Sequence, residues 1–403
     1  MKFGIDTLLS DKSLQTKLSG KKISLLAHPA SVTEKGIHSL DALWGLGRKK
    51  INLVSAFGPQ HGMRGDKQDN MIESDDFKDP GTGIPIFSLY GKVRRPTLAM
   101  LDTFDVVLVD LQDIGCRIYT YLTTLFYIME DCARAGKSVW VLDRPNPAGR
   151  QIEGTYLESG WESFVGMGPT VMRHGLTMGE LALWIKKKYA MDLDLKVVPL
   201  KNYSPRKGPG FGWPLYERPW INPSPNIPRL SSVRPFAGTV MTEGTLLSEG
   251  RGTTRPLEQF GCPGFPVDEV LKILHSKFSK WTLGCLIRPA YFEPTFHKFK
   301  GELCSGIQIH TDFSGYKDKD FKPYRLMLAI FKILKAVAPD MMKWRQPPYE
   351  YEHERLPIDL LNGGPFPRQW VDDAAAVPRD LEVRLKKDEV RWEKERRPFL
   401  LYK

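Results

Sequence analysis

The sequence Ile23-Ser24-Leu25-Leu26-Ala27-His28-Pro29-Ala30 shows the pattern on which the fold prediction rests, because an apolar run passes directly into a polar turn. The same pattern recurs three times before residue 145, with apolar runs at Ile51–Phe57, Phe104–Val109 and Ser138–Leu142. Short, continuous apolar runs separated by helical patterns are typical of parallel strands buried on both faces. We therefore predict an α/β fold built on a parallel sheet.

The polar residues that follow these runs should meet at one edge of that sheet. Gln60 and His61 come after the second run, Asp110 and Asp113 after the third, and Asp143-Arg144 after the fourth. The carboxyl ends of parallel strands share an edge, and ligands bind in the crevice outside it. This edge is the predicted location of the functional site.

The composition changes after Tyr203, where a stretch rich in Pro, Gly and Trp runs through residues 204–228. Such a stretch holds no long regular element, and 403 residues are long for one hydrophobic core. We predict an α/β domain over residues 1–220 and a smaller α+β domain with C-terminal helices over residues 221–403. In the second part, strands are predicted at Thr239–Thr242, Cys285–Pro289 and Gly306–His310, helices at Val267–Phe278 and Tyr324–Ala336, and an apolar docked tail at Pro398–Tyr402.

The bulk composition argues against several classes of partner. The net charge of +11 comes from basic residues that are spread along the chain and interleaved with acids, so we predict no nucleic-acid partner. No stretch approaches the ~20 apolar residues that span a membrane. Five widely spaced cysteines form no C-x-x-C pair, which favours a reducing compartment over a disulfide framework. Without a signal-peptide pattern at its start, the chain is expected in the cytoplasm, or in the periplasm or outside the cell if a leader was removed.

Several families of catalytic site are disfavoured by missing motifs. The first strand is not followed by G-x-G-x-x-G, and no P-loop sequence is present. No two histidines stand four residues apart, and no G-x-S-x-G marks a nucleophilic serine. We therefore predict no cofactor and no catalytic metal. Carboxylate chemistry is the remaining class.

Three segments carry the candidate carboxylates, and each has a simpler explanation beside the catalytic one. The polar connection of residues 58–76 contains Glu73 but could be a solvated loop. Asp113 stands four residues before Arg117 and could cap a helix or pair with that arginine. The segment of residues 243–255 places Glu243 and Glu249 beside Arg251 among flexible glycines, a pattern that also fits a surface loop with a salt bridge.

Taken together, these motifs resemble a known family. The matching stretches are Gly58–Gly65, Phe87–Gly91, Asp110–Tyr119, Leu142–Pro147, Arg173–Gly175, Pro223–Asn226, Glu243–Arg255, Pro294–Phe296 and Pro398–Tyr402. In this order and over nearly the full length, they are similar to the exo-acting β-N-acetylmuramidases, a family of bacterial glycoside hydrolases. The resemblance implies a Rossmann-like domain followed by a smaller domain, with the active-site cleft between them.

The resemblance also implies an activity, the release of terminal N-acetylmuramic acid from the non-reducing end of peptidoglycan fragments. One position departs from the family pattern, because many members carry Glu before His-Gly where this chain has Gln60. A glutamine neither donates an acidic proton nor acts as an anionic nucleophile. If that carboxylate is the family's catalyst, the chain is inactive, altered, or uses a neighbouring acid such as Glu73.

Glycoside hydrolysis usually needs two carboxyl groups, but the amide oxygen of a 2-acetamido sugar can itself attack the anomeric carbon. We therefore expect a catalytic pair drawn from Glu73, Asp113, Glu243 and Glu249. The sugar would be bound by Gln60 and His61, with His174 and Asn226 in further matching motifs. The lactyl carboxylate of muramic acid would pair with Arg251, Arg117 or Arg64.

Two other functions remain open from the sequence alone. A non-catalytic protein that binds peptidoglycan fragments would explain Gln60 as a mark of lost activity. An enzyme acting on phosphosugars or nucleotide sugars would use helix amino termini at the sheet edge. The sequence does not determine the oligomeric state.

Overall fold

A parallel sheet forms the centre of the amino-terminal half in the computed structural model, which describes residues 1–65, 72–206 and 212–402. Parts of the predicted polar connection (66–71) and of the Pro/Gly/Trp-rich stretch (207–211) lie outside the described residues. The sheet has seven strands in the order β3-β4-β2-β1-β5-β6-β7. Their bounds are Lys22–Ala27 (β1), Asn52–Gly58 (β2), Phe77–Lys78 (β3), Pro85–Ser88 (β4), Val106–Asp110 (β5), Ser138–Leu142 (β6) and Leu195–Val198 (β7).

The four predicted strands are confirmed as β1, β2, β5 and β6, which lie side by side and parallel. β1 pairs with β2 on one side and with β5 on the other, so that Ala27 lies opposite Asp110. Only the two-residue β3 runs antiparallel to its neighbour in this sheet. Every side chain of β5 is buried, as expected for a strand covered on both faces.

Helices cover the sheet and build much of the second half. Their bounds are Gly4–Ser10 (α1), Lys12–Leu18 (α2), Ser39–Gly45 (α3), Leu98–Leu101 (α4), Tyr121–Arg134 (α5), Met178–Lys188 (α6), Leu230–Thr239 (α7), Val267–Lys277 (α8), Pro323–Val337 (α9), Pro357–Asn362 (α10), Phe366–Asp372 (α11) and Pro378–Arg396 (α12). The capping box predicted at the start of α6 is present. The Thr177 side chain accepts a hydrogen bond from the Glu180 amide, and the Glu180 carboxylate accepts one from the Thr177 amide.

A smaller antiparallel sheet of three strands lies in the second half, in the order β8-β10-β9. These strands are Gln259–Cys262 (β8), Leu286–Phe292 (β9) and Cys304–His310 (β10). The strand predicted at Thr239–Thr242 is wrong, because these residues end α7 and begin a short 3₁₀-helix at Val240–Gly244. Its apolar residues suggested a buried strand, but Val240 and Met241 are buried because the 3₁₀-helix that contains them packs against α10.

One large cluster of buried apolar side chains runs from Leu26 in β1 to Trp392 in α12, so residues from both halves of the chain share a core. The predicted tail docks onto the first sheet. Tyr402 donates a hydrogen bond to Asp143 after β6 (2.6 Å) and accepts one from the Leu200 amide (2.9 Å). The division near residue 220 stays a prediction. No helix in the described part of the chain has the length and apolar character needed to cross a membrane.

Candidate active site

A cavity lies at the carboxyl end of β2 and faces the start of α5. The space between its walls that protein atoms do not fill is about 490 Å³, part of it open to solvent. Its walls come from both halves of the chain, and the polar side chains among them are Gln60, His61, Tyr119, Thr120, Tyr121, Ser224, Asn226, Glu243, Arg251, Tyr349 and Glu350. The structure therefore brings together five of the predicted site residues, namely Gln60, His61, Asn226, Glu243 and Arg251.

A tight turn after β2 presents Gln60 and His61 to the cavity. The Gly62 amide donates to the Pro59 carbonyl (2.9 Å) and closes the turn. A side chain on Gly58 would place its Cβ 2.8 Å from the Met63 nitrogen, so the turn needs glycine there. His61 has a φ of 69°, a left-handed conformation that is uncommon for residues with a side chain. The short connection thus turns both side chains of the motif into the same cavity.

Glu350 is a cavity-lining carboxyl group that the sequence analysis did not identify. Its Oε1 accepts a hydrogen bond from Gln60 Nε2 (3.2 Å), and its Oε2 accepts one from the Tyr90 hydroxyl (2.8 Å). Gln60 is itself oriented by the Thr120 hydroxyl, which donates to its Oε1 (2.7 Å). The amide of Gln60 therefore points its donor side at Glu350, which fixes one oxygen of the carboxyl group.

The surroundings of Glu350 favour its protonated form. The side chain is 7% exposed. Burial raises the pKa of Glu350 to about 7, the negative charge of Glu243 adds to this, and the hydrogen bonds from Tyr90 and Gln60 only partly oppose it. The backbone of Glu350 and Tyr351 is also left-handed, with φ values of 46° and 67°. Strained residues of this kind cost about 1–3 kcal/mol each and cluster at functional sites.

Glu243 lies on the other side of the cavity, with a hydrogen-bond donor on each carboxylate oxygen. Its Oε1 accepts from Arg251 Nη2 (2.5 Å), and its Oε2 accepts from the Tyr349 hydroxyl (2.7 Å). Tyr349 and Glu350 are adjacent in the chain, so one segment contacts both carboxyl groups. With a cationic and a phenolic donor on its two oxygens, Glu243 can orient a polar group of a ligand and stabilise positive charge.

Glu249 is completely buried and faces a cluster of cations. Its Oε1 accepts from Arg251 Nε, its Oε2 accepts from Lys298 Nζ, both at 3.1 Å, and His297 Nδ1 lies 3.3 Å from Oε1. Burial raises the pKa of Glu249, but the charges of Lys298, Arg251 and His297 outweigh burial and lower it to about 2. Glu249 therefore positions Arg251 and stays ionised, which does not suit a proton donor.

Asp113 and Arg117 lie outside the lining of this cavity. Asp113 Oδ2 accepts from the Gly115 amide (2.6 Å) and lies 3.2 Å from His174 Nε2, so the structure pairs it with His174 and not with Arg117. Arg117 is fully buried and donates to the carbonyls of Thr155 (2.7 Å) and Leu361 (3.1 Å), among others. The contacts of Asp113, His174 and Arg117 are therefore with other parts of the protein, where they hold loops in place.

Glu73 and Arg64 also lie outside the cavity lining. The Glu73 side chain is 54% exposed, and it accepts a hydrogen bond from the Tyr351 hydroxyl (3.1 Å). Arg64 pairs with Asp79 at 2.7 Å. Glu73 therefore does not line the cavity, and its use as a substitute for the carboxylate missing at position 60 stays a prediction. Glu350 is the carboxyl group that contacts Gln60.

The sequence contained a hint of Glu350. Pro347-Pro348-Tyr349-Glu350-Tyr351 combines two prolines with a glutamate between aromatic residues. Prolines restrict the backbone, and aromatic neighbours predict an apolar environment that raises a carboxyl pKa. Within the described ranges, no group of three or more His, Cys, Asp or Glu side chains could hold a metal ion. The arrangement instead offers two carboxyl groups in one cavity, Glu350 with a raised pKa and Glu243 with a donor on each oxygen.

Comparisons with known proteins bear on this arrangement. Residues 23–231 match the family model described as exo-β-N-acetylmuramidase NamZ, N-terminal, and residues 234–402 match the corresponding C-terminal model. The chain is 37% identical over 401 residues to the peptidoglycan β-N-acetylmuramidase NamZ of Bacillus subtilis (strain 168), covering 99% of this chain and 91% of the relative. Crystal structures of two DUF1343 family proteins from Bacteroides fragilis are similar over 100% of this chain and 99% of theirs, with TM-scores of 0.83 and 0.74 at 30% and 26% identity.

Proposed function

The chain belongs to the exo-β-N-acetylmuramidase NamZ family, and we propose that it hydrolyses the terminal β-N-acetylmuramide bond of peptidoglycan fragments from the non-reducing end. It is a glycoside hydrolase, as its relative in Bacillus subtilis is. The observation that carries the proposal is Glu350, a buried carboxyl group with a pKa raised to about 7 inside the cavity. Such a group keeps its proton in about half of the molecules at pH 7 and can act as a general acid.

In the first step, Glu350 gives its proton to the glycosidic oxygen while the bond from that oxygen to the anomeric carbon breaks. The carbonyl oxygen of the substrate's own acetamido group attacks the anomeric carbon and forms a cyclic oxazolinium ion. Glu243 stabilises the positive charge on the acetamido nitrogen. Both Glu243 oxygens accept hydrogen bonds from Arg251 and Tyr349, which makes this carboxylate a poor nucleophile and supports assistance by the substrate.

In the second step, the Glu350 carboxylate takes a proton from water, and the water oxygen attacks the anomeric carbon. The bond to the acetamido oxygen breaks, the amide is restored, and Glu350 is protonated for the next turnover. Gln60 and Tyr90 keep the carboxyl group in place throughout, because each donates to one of its oxygens. This cycle balances without a metal or a cofactor.

Arg251 is our candidate for the lactyl carboxylate that distinguishes muramic acid from glucosamine. Of the three arginines considered from the sequence, it is the one that lines the cavity. Arg251 also pairs with Glu243 and Glu249, so a lactyl carboxylate would share its guanidinium group with them. Gln60, His61 and Asn226 line the same space and would contact the hydroxyl and acetamido groups of the sugar.

The test is turnover of a nitrophenyl β-N-acetylmuramide beside the matching β-N-acetylglucosaminide. We expect release of the chromophore from the muramide only, and a loss of at least about 100-fold in kcat for Glu350→Gln, the size of a general-acid contribution. Glu354→Gln is the matched control, because Glu354 is an exposed glutamate four residues further on. Binding of the muramide without turnover by the wild-type protein would instead support the non-catalytic function.

A further inference from the structure

A groove beside the cavity is built from the same two chain segments. Asn226 lines both spaces, the first segment continues from Ser224 in the cavity to Pro225 in the groove, and the second continues from Arg251 to Gly252. The groove contains about 1550 Å³ of space, part of it open to solvent. A molecule whose terminal sugar fills the cavity would therefore extend along these segments into the groove.

The wall of the groove at Gly252 is held rigidly. The backbone nitrogen and the hydroxyl of Thr295 both donate to the Gly252 carbonyl at 2.9 Å. A Cβ on Gly252 would lie 2.7 Å from the Phe296 nitrogen, so only glycine allows this approach of two backbones. This contact accounts for the Pro294–Phe296 motif. It makes the groove a preformed surface, which lowers the entropic cost of binding.

The groove contains one guanidinium group that has no carboxylate partner among the described residues, that of Arg288. Arg288 Nη2 donates to Gln308 Oε1 (2.6 Å) and its Nε donates to His310 Nε2 (3.0 Å), so these two side chains fix the guanidinium plane. Within the described residues Arg288 forms no salt bridge, whereas Arg255 in the same groove pairs with Glu258 and Asp312. A fixed guanidinium of this kind suits a carboxylate ligand.

Tyr291 provides a second contact surface in the groove. Its side chain lies on the same strand as Arg288 and is 72% exposed. An exposed aromatic ring is suited to pack against the apolar face of a sugar. Glu293 is the single carboxylate among the described residues that line the groove. Because Arg255 is already paired with Glu258 and Asp312, Arg288 is the guanidinium group in this lining that is available to an acidic ligand.

We infer that this groove binds the leaving-group side of the substrate, a saccharide whose second sugar carries a carboxylate. The inference rests on the proposed function, because it takes the cavity as the place of the terminal muramic acid. Peptidoglycan strands alternate N-acetylglucosamine with N-acetylmuramic acid, so the second sugar beyond the cleaved bond has its own lactyl carboxylate or an attached peptide. Arg288 contacts that acidic group, and Tyr291 packs against a sugar ring of the leaving group.

The test compares a short substrate with a long one. The short substrate is the nitrophenyl β-N-acetylmuramide, and the long one is the trisaccharide N-acetylmuramic acid–N-acetylglucosamine–N-acetylmuramic acid, with its reducing-end lactyl group either free or amidated. Arg288→Gln should lower kcat/KM about tenfold for the free trisaccharide, as expected for one charge-assisted contact. For the aryl muramide and the amidated trisaccharide, the kcat/KM of Arg288→Gln should stay within about twofold of the wild-type value. Arg48→Gln, which removes an exposed arginine elsewhere, is the control.

The outcomes separate the two proposals. Equal losses for all three substrates, or no loss for any, would overturn the groove assignment while leaving the muramidase activity standing. If the wild-type protein cleaves none of them, the proposed function fails, and calorimetric titration with the free trisaccharide then decides about the groove. About tenfold weaker binding by Arg288→Gln supports the assignment, and an unchanged Kd refutes it.

Discussion

Replacing Gln60 by glutamate tests the site at the position where this chain departs from the family pattern. Gln60 Nε2 lies 3.2 Å from Glu350 Oε1, so Gln60→Glu would put two carboxyl groups at about that distance in a buried cavity. Two unit charges at this separation repel by roughly 5 kcal/mol at an effective dielectric constant of about 20. Both groups therefore cannot ionise together near neutral pH, and the pair keeps one proton.

We expect the pH dependence of kcat/KM to show this shared proton. In the wild-type protein, activity should fall as pH rises through the Glu350 pKa of about 7, because the acid form is lost. In Gln60→Glu the alkaline limb of the kcat/KM profile should move to higher pH by more than about one pH unit. A shift of one pKa unit corresponds to about 1.36 kcal/mol, which is well below a repulsion of this size. The variant should remain within about tenfold of the wild type at acidic pH, where a proton is still available.

The assay is hydrolysis of the nitrophenyl muramide over a pH series, with Gln369→Glu as an exposed control on α11. An alkaline limb that stays in place would show that position 60 does not interact with the catalytic acid. A wild-type protein without activity beside an active Gln60→Glu would be the stronger contradiction, because the carboxylate at position 60 would then be indispensable.

Three further predictions follow from the hydrogen bonds of the site. The raised pKa of Glu350 makes its contribution to stability fall as pH rises from about 4.5 to about 7. Between about pH 5 and pH 8, the free energy of unfolding of Glu350→Gln, measured in urea, should therefore increase by up to about 3 kcal/mol relative to that of the wild type. Glu249→Gln removes the charged partner of Lys298 and one of the two buried carboxylates that pair with Arg251, and it should lose about 3 kcal/mol of unfolding free energy at neutral pH. This effect should fade as pH falls toward the Glu249 pKa of about 2, and unchanged stability would contradict its structural role. Tyr349→Phe should lower kcat about tenfold with little change in KM, since it removes one donor to a charged carboxylate; equal changes in both would point to ground-state binding.

Much of the first sheet was predictable because its strands are continuous apolar runs. The buried pattern of β5, for example, is visible directly in Phe104–Val109, and the capping box of α6 is a local sequence feature. The strand predicted at Thr239–Thr242 failed because apolarity alone does not separate a buried strand from a buried helix end. The 3₁₀-helix there is set by packing against α10, which is distant in sequence.

The site was only partly predictable for a related reason. Gln60 and His61 follow a strand, and Glu243 and Arg251 stand in one local segment, so their positions could be inferred. Glu350 reaches Gln60 across 290 residues of sequence, in a segment without periodicity. A contact between residues so far apart in the chain has no local sequence pattern, and the prolines and aromatic residues around Glu350 were the only hint of it.

The most direct test of Glu350 as the general acid is a series of β-N-acetylmuramides whose aryl leaving groups differ in pKa. A good leaving group departs without protonation, so the loss caused by Glu350→Gln should be at least about 100-fold for a poor leaving group and should nearly vanish for dinitrophenol. Glu243→Gln should lower turnover equally across the series. A loss for Glu350→Gln that does not depend on the leaving group would show that Glu350 does not deliver the proton.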